Sequence, residues 1–472
     1  MTENTIEGSR EPDLSSLDQQ KRADGIVTIV LTADNHLGYA AFGQHPGKRE
    51  ERQQRLRYAF QQATDFAVGQ GVDLFIQAGD LFDSTTPSER DRSFVAARLA
   101  QLRQAGIRTF ALGGVHDTPG DAYASQGENR EANEGDRKGP PPLPPPSSPL
   151  PDTVMPPSNL WRNREITPAP QLSYANLGAL HYFVPSSATE LEPVIIGVRD
   201  TSVGLCGLGV LADHEGDALT RVRVQDDIER AAIPILILHA PIEGLTTGSS
   251  LLDSQACVNQ STIANQTTFR YILAGYHHSY QHLRIGQTDL IVAGATQHID
   301  FSDPDDNPGF VFLGLAADGI RWCKHIAVDA MPLRRLVISS SELWPESNTT
   351  SMAPTNLILE RLHPLCSEDA MVQLRLEGEL TRWQYHQLDL NQIRHYGEQY
   401  CFALAIDDSA LSILPEQNAI SAETGERFSP REELVALTDE WIAMADDEQE
   451  KKALRATREE LLAAMDEVRT KR

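Results

Sequence analysis

No stretch of the chain approaches the ~18 consecutive apolar residues that a membrane-spanning helix requires, which argues against a helical membrane protein. Cysteine is scarce as well. The five cysteines, Cys206, Cys257, Cys323, Cys366 and Cys401, are odd in number and form no C-x-x-C pair. That argues against a disulfide framework and a cysteine zinc site, and points to a reducing compartment. The first 25 residues are polar and acidic and lack the apolar centre of a signal peptide, so a cytoplasmic location with no membrane partner is expected. Positive charge is the third shortage. Lys and Arg number 41 against 67 Asp and Glu, a formal net charge of -26, so a nucleic-acid role would require basic side chains gathered locally.

What is present fits two or three domains in 472 residues. Residues 1–24 have few apolar positions and no periodicity and are expected to be a disordered tail; the β-branched run from Ile26 to Thr32 then begins a fold. Similar short runs recur at 73–78, 108–112, 234–238 and 271–274, with amphipathic helical stretches between the early ones. Strands alternating with helices indicate a layered α/β sheet, here placed over 25–330. Residues 140–157 hold ten of the 28 prolines. Proline has no N–H and a fixed φ, so about 119–170 reads as a disordered surface insertion. Alternating strands near 371–378 and 400–406 predict a smaller α+β domain over 331–430. Over 431–472 two helical stripes follow, one with Leu434, Leu437, Trp441 and Met444, the other with Leu454, Leu461, Met465 and Val468. Such stripes serve either packing on the preceding domain or binding of a partner.

The early strand runs share one feature, a cluster of metal-type ligands just past the carboxyl end, where an open α/β sheet gathers its active site. The first run is followed by Asp34 and His36, the second by Gly79, Asp80 and Asp83, and the third by Gly114, Val115, His116 and Asp117. The fourth delivers His239, and the fifth Gly275, Tyr276, His277 and His278. Singly, each is an ordinary loop histidine or helix-capping aspartate. Together they form a mixed carboxylate and imidazole set suited to Mn²⁺, Mg²⁺, Fe²⁺ or Zn²⁺, the kind of site that activates water on phosphate esters.

In this order the clusters resemble those of the calcineurin-like metallophosphoesterases and, within them, the SbcD-type DNA repair exonucleases. The resemblance covers roughly Ile26 to Val328 outside the insertion. It rests on D-x-H at Asp34 and His36, G-D-x-x-D at Gly79 to Asp83, a G-N-H-D counterpart at Gly114 to Asp117, His239, and a G-H-x-H counterpart at Gly275 to His278. The closing segment with Asp300, Phe301, Ser302 and Pro308 to Phe310 is similar to that of the SbcD-type branch. The resemblance implies a four-layer α/β/β/α sandwich with a small capping domain and a C-terminal helical tail. It implies that Asp34, His36, Asp80 and His278 hold a first metal, and that Asp80 and His239 serve a second. His116 would meet the phosphate, with Asp117 orienting it. It further implies DNA as substrate, a coiled-coil ATPase of the SbcC type gripped by the helical tail, and a homodimer.

Two positions depart from the family pattern, and both concern the second metal. Val115 stands where the family has asparagine and offers no lone pair; Tyr276 stands where it has the first histidine of G-H-x-H. One or two ions per chain are therefore open. So are three outcomes: a one-metal enzyme of reduced activity, replacement of the lost ligand by His277 or another nearby histidine, or a binding scaffold without catalysis. A phosphodiesterase for small nucleotides is a further alternative. For DNA, Lys48, Arg52 and Arg55 recur at i, i+4 and i+7 and form a candidate phosphate-binding face, with a solvated helix surface as the alternative.

Overall fold

The computed structural model describes residues 25–39, 45–119, 169–184, 190–209, 216–245, 257–303, 305–345 and 353–414, with scattered helical positions between 434 and 462. The expected N-terminal tail and nearly all of the proline-rich insertion lie outside the described residues. Two compact units are present: residues 1–377 with 389–410, and residues 378–388 with 411–472.

Along the first unit the chain alternates β1 (Val27–Thr32), α1 (Pro46–Gln70), β2 (Leu74–Ala78), α2 (Glu89–Gln104), β3 (Arg108–Leu112), α3 (Pro170–Asn176) and β4 (His181–Phe183). It continues through β5 (Glu190–Leu191), β6 (Val194–Val198), β7 (Thr201–Gly209), α4 (Ala218–Arg221), β8 (Arg223–Val224), β9 (Ile233–His239), α5 (Gln260–Asn265), β10 (Tyr271–Gly275), β11 (Gln281–Ile285) and β12 (Thr288–Val292). β13 (Gly309–Ala316) and β14 (Gly319–Ala327) then return to the first sheet. Two six-stranded sheets result, with orders β14-β13-β1-β2-β3-β4 and β11-β12-β10-β9-β7-β6.

Strand periodicity explains the layering. Val27, Ile29 and Leu31 of β1 point one way and join Ile76, Leu205, Ile235, Ile237 and Leu273 in a fully buried core contributed by both sheets. Val30 points the other way and packs with Leu56, Phe60 and Ala63 of α1 and Leu99 of α2. A third cluster joins Leu236, Leu238 and Ile272 to Leu219 of α4 and Ile263 of α5. Helices therefore cover the outer face of each sheet, giving the four-layer α/β/β/α sandwich. Each large aliphatic side chain so buried contributes about 1.5–3 kcal/mol.

β15 (Leu333–Ser339) pairs in parallel with the first seven residues of β16 (Met371–Thr381), beside α7 (Pro354–Leu362), which follows the short α6 (Ser340–Leu343). Met331, Leu333, Met371 and Phe402 form a separate small core. One expectation is corrected here: Cys366 and Cys401 do not stand apart but are disulfide-paired, with Cα atoms 5.0 Å apart. They are 35 residues apart in sequence and meet because the chain doubles back through α9 (Leu390–Tyr400). The second unit contains α8 (Arg382–His386), opened by a capping box in which Thr381 and Gln384 bond each other's backbone. Of the helical tail, Leu434, Leu454 and Leu461 are described and helical; Leu437, Trp441, Met444, Met465 and Val468 lie outside the described residues. Among the described residues no helix is long and apolar enough to cross a membrane.

Candidate metal centre

Five parallel strands, β1, β2 and β3 of one sheet and β9 and β10 of the other, end side by side. Asp34 and His36 follow β1, Asp80 and Asp83 follow β2, His116 and Asp117 follow β3, His239 is the last residue of β9, and His278 follows β10. The bends that turn these side chains inward are sharp. Among the described residues, five non-glycine positions have positive φ, and four of them are Asp34 (47°), His36 (45°), Asp80 (52°) and Tyr276 (82°). Each such residue costs of order 1–3 kcal/mol, so surrounding packing holds them there. Glycine allows the closest approaches. A Cβ on Gly114 would collide with the Asp80 carboxylate, and one on Gly79 with the His239 ring.

The potential ligand atoms of Asp34, His36 and His278 lie within 4.8 Å of one another, as do those of Asp34, Asp80 and His239. Asp34 is thus common to both groups, whereas the resemblance gave the shared role to Asp80. A third group, His36, Asp83 and His116, adjoins them. Each inward imidazole is held through Nδ1: His36 to Asp83 Oδ1 at 3.1 Å, His239 to the Ala78 carbonyl at 2.8 Å, and His278 to Asp303 Oδ1 at 2.7 Å. That leaves Nε2 of each as the ligand atom. The Nε2 atom of His36 is buried and has no hydrogen-bond partner among the described residues, and the buried Nε2 of His239 faces Asp80 Oδ2 at 3.2 Å. Buried lone pairs beside buried carboxylates are the arrangement a divalent cation satisfies, so the residues present fit one.

The electrostatics are those of a compact, desolvated charge cluster. Burial pushes Asp34 above the ordinary carboxylate range. Burial acts on Asp80 in the same sense, but His239, His36 and His116 together outweigh it and hold Asp80 below the ordinary range. Burial would lower His239 and His278, yet Asp80 beside the first and the hydrogen bond that the second donates to Asp303 carry both up to about 9. Asp117 is pushed up to about 7 by burial and by Asp80.

Several expectations meet different geometry. The Asp117 carboxylate accepts from the backbone N–H of Gly114 at 2.8 Å and of Phe82 at 3.2 Å, and from the Gln171 amide. Its partners are therefore loop amides and not the His116 ring, which corrects the orienting role assigned to it. The carboxylate facing His116 is Asp83, 3.8 Å from Nδ1. His277 is buried with Nε2 accepting from the Ile242 N–H at 2.9 Å, so that nitrogen is committed to the backbone instead of replacing a ligand. His282, on β11, faces Asp289 of β12 at 3.8 Å. Tyr276 touches the cluster through its backbone N–H, which donates to both Asp34 oxygens at 3.0 and 3.1 Å. Val115 is half-buried.

The candidate DNA-binding face is corrected too. Arg52 is fully buried, bonded to Gln297 Oε1 and the His298 carbonyl, because it continues the inward stripe of Leu56, Phe60 and Ala63. Lys48 donates to the Cys401 carbonyl at 3.4 Å, and Arg55 pairs with Glu51 at 3.0 Å. Of the residues that sequence reasoning left without a role, Asp83 was visible in G-D-x-x-D and Asp303 lies three residues past Asp300. Gln171, 54 positions beyond Asp117, carried no signal.

Residues 27–164 match the family model described as calcineurin-like phosphoesterase. The chain carries a calcineurin-like phosphoesterase domain. Asp34, His36, Asp80, Asp83, His116 and Asp117 all fall within the matched phosphoesterase segment. The chain is also similar to the DNA double-strand break repair protein Mre11 of Methanosarcina mazei, 36% identical over 95 residues, which are 20% of this chain and 15% of that protein. Mre11 of Saccharolobus solfataricus is 31% identical over 94 residues, 20% of this chain and 23% of the relative. The similarity thus spans less than a quarter of either relative. Among solved structures, a dimetal phosphatase from Danio rerio is 10% identical over 64% of this chain and 99% of that one, with a TM-score of 0.32. GAP50, the anchor in the inner membrane complex of Plasmodium, is 11% identical over 64% and 85% of the two chains, with a TM-score of 0.33.

Proposed function

We propose that this chain is a metal-dependent phosphodiesterase that hydrolyses DNA ends, the nuclease subunit of a double-strand break repair complex. The observation that carries this reading is the cluster of Asp34, Asp80, His36, His239 and His278, with the buried Nε2 of His36 left without a hydrogen-bond partner among the described residues and that of His239 facing Asp80, in a phosphoesterase domain similar to Mre11 proteins. Asp34, His36, Asp80 and His278 would hold the first ion, and Asp80 and His239, with Asp34 beside them, would offer a weakened site for a second. Mn²⁺ is the first candidate, with Mg²⁺, Fe²⁺ and Zn²⁺ behind it. Ions held there would neutralise charge on a phosphodiester and activate water for attack. His116, 39% exposed, is the side chain free to meet the phosphate and protonate the departing oxygen. Asp117 fixes the loop that carries it. The reading includes a cytoplasmic location, a cap over 331–430 that shapes DNA access, an SbcC-type ATPase bound by the tail, and a homodimer.

A second reading, a scaffold subunit with weakened catalysis, is favoured by Val115 and Tyr276. A two-ion clamp stabilises both attacking and leaving oxygens, so losing half of it should cost several kcal/mol, or orders of magnitude in rate. The deciding experiment incubates the purified chain and Asp80→Asn with end-labelled linear duplex DNA and Mn²⁺. Cleavage by the wild type that disappears with Asp80→Asn or with EDTA supports the nuclease. DNA retention without cleavage supports the scaffold. Cleavage of small nucleotides alone, unchanged when residues 431–472 are deleted, would point to the small-substrate alternative.

A further inference from the structure

We infer that Asp303, clamped by Arg335, is the positioning residue for the metal ligand His278. The inference rests on the proposed metal site. Asp303 is 1% exposed, and its two carboxylate oxygens are both committed: Oδ1 to His278 Nδ1 at 2.7 Å, Oδ2 to the backbone N–H of Ile299. A carboxylate can only accept from Nδ1, so the pairing fixes the imidazole in the form whose Nε2 is the ligand atom and sets the plane of the ring. It also keeps electron density on the ligand nitrogen.

The backbone that carries this carboxylate is held from outside the phosphoesterase sandwich. Arg335, on β15, donates through Nη2 to the carbonyls of Phe301, at 3.0 Å, and of Asp303. Its Nε donates to Gln373 Oε1 on β16 at 3.0 Å. A guanidinium presents its donors in a rigid fork, so the 301–303 loop is registered against β15 through one planar group. Across this chain of contacts, β15 and β16 fix the Asp303 backbone, Asp303 fixes His278, and His278 completes the group with Asp34 and His36. The small sheet therefore sets the geometry of the first ion's site as well as standing beside it.

The test is a double-mutant cycle read by Mn²⁺ binding, with free Mn²⁺ followed by electron paramagnetic resonance. Asp303→Ala should weaken binding by about 10–100-fold in the wild-type background, as loss of a ligand's outer partner does. In the His278→Ala background the same change should cost less than about twofold, because there is no ring left to orient. Asp303→Asn, isosteric, replaces Asp303→Ala should the alanine variant fail to fold, and Arg335→Met should shift affinity in the same direction. Equal losses in both backgrounds would mean a general structural role and overturn the inference. So would unchanged affinity in a wild type that takes up Mn²⁺. A wild type that takes up no Mn²⁺, matching an Asp34→Asn control, would overturn the metal reading and this inference with it.

Discussion

Asp83 Oδ1 stands between two imidazoles, 3.1 Å from His36 Nδ1 and 3.8 Å from His116 Nδ1, so one exposed-edge carboxylate faces both a candidate ligand and the candidate proton donor. The His36 and His116 rings meet edge to face with centroids 4.7 Å apart, which places the three groups in one contiguous cluster. Asp83→Ala should therefore lower kcat with Mn²⁺ by roughly 10–100-fold, the usual cost of removing a ligand's outer partner. Asp117→Asn should do the reverse, with a small change in kcat and a lower melting temperature, since its contacts are the Gly114 and Phe82 amides. Steady-state kinetics and thermal melts of both variants check the assignment; a larger kcat loss for Asp117→Asn would return the orienting role to that residue.

Asp117 also gives a pH dependence. Its folded value, about 7, lies above the ordinary 3.8. A carboxyl raised on folding contributes stability that is complete below 3.8 and is lost as pH rises through about 7. His239 and His278, raised to about 9, act in the same sense, their contribution being lost as pH rises through about 9. His181, His298 and His325 act oppositely. Burial lowers them, so their contribution is lost as pH falls below 6.5. The difference between wild type and Asp117→Asn isolates the first group. In metal-free urea unfolding, the wild-type midpoint should fall relative to that of Asp117→Asn between pH 4 and pH 8; a constant difference would mean that Asp117 does not titrate there.

Arg52 tests how far a helical spacing can be read. Residues 48, 52 and 55 do share a face, as the i, i+4, i+7 rule requires, but the rule does not say which way the face points. The apolar residues that continue the stripe, Leu56, Phe60 and Ala63, decide it, and they turn Arg52 into the core. Arg52→Met should remove the donor to the His298 carbonyl and destabilise the fold by about 1–3 kcal/mol. The salt dependence of DNA binding should not change, because no phosphate contact is lost. A reduced slope of log affinity against log salt would restore Arg52 to the DNA-binding surface.

The legible part of this protein follows strand ends. Asp34, Asp80, His116, His239 and His278 could be assembled from sequence because each stands just past an apolar run, and parallel strands of a sandwich end together. The α/β layering was legible in the alternation of strand runs with helical stretches, while the four-layer sandwich was implied by the family resemblance. Contacts set by loops were not. Gln171 reaches Asp117 across the proline-rich insertion, and Arg335 reaches the 301–303 loop from β15. Neither belongs to a periodic pattern. The Cys366 and Cys401 pairing depends on α9 reversing the chain, which no spacing of cysteines encodes.

Val115 and Tyr276 stand at two ligand positions of the family pattern, and His277 Nε2 already accepts from Ile242. The second site is then left with Asp34, Asp80 and His239. Val115→Asn adds an amide oxygen, and Tyr276→His adds an imidazole at a backbone position whose N–H already holds Asp34. Histidine accepts positive φ more readily than most side chains, so the 82° backbone at position 276 should persist. The double variant should raise Mn²⁺ uptake from one ion per chain to two, and raise DNA cleavage by at least tenfold, the rate equivalent of ~1.4 kcal/mol of transition-state stabilisation. Calorimetric stoichiometry and single-turnover cleavage check both halves. Two ions bound with no gain in rate would place the rate limit outside the second site. Two ions already bound by the wild type would show that Asp34, Asp80 and His239 suffice to hold the second.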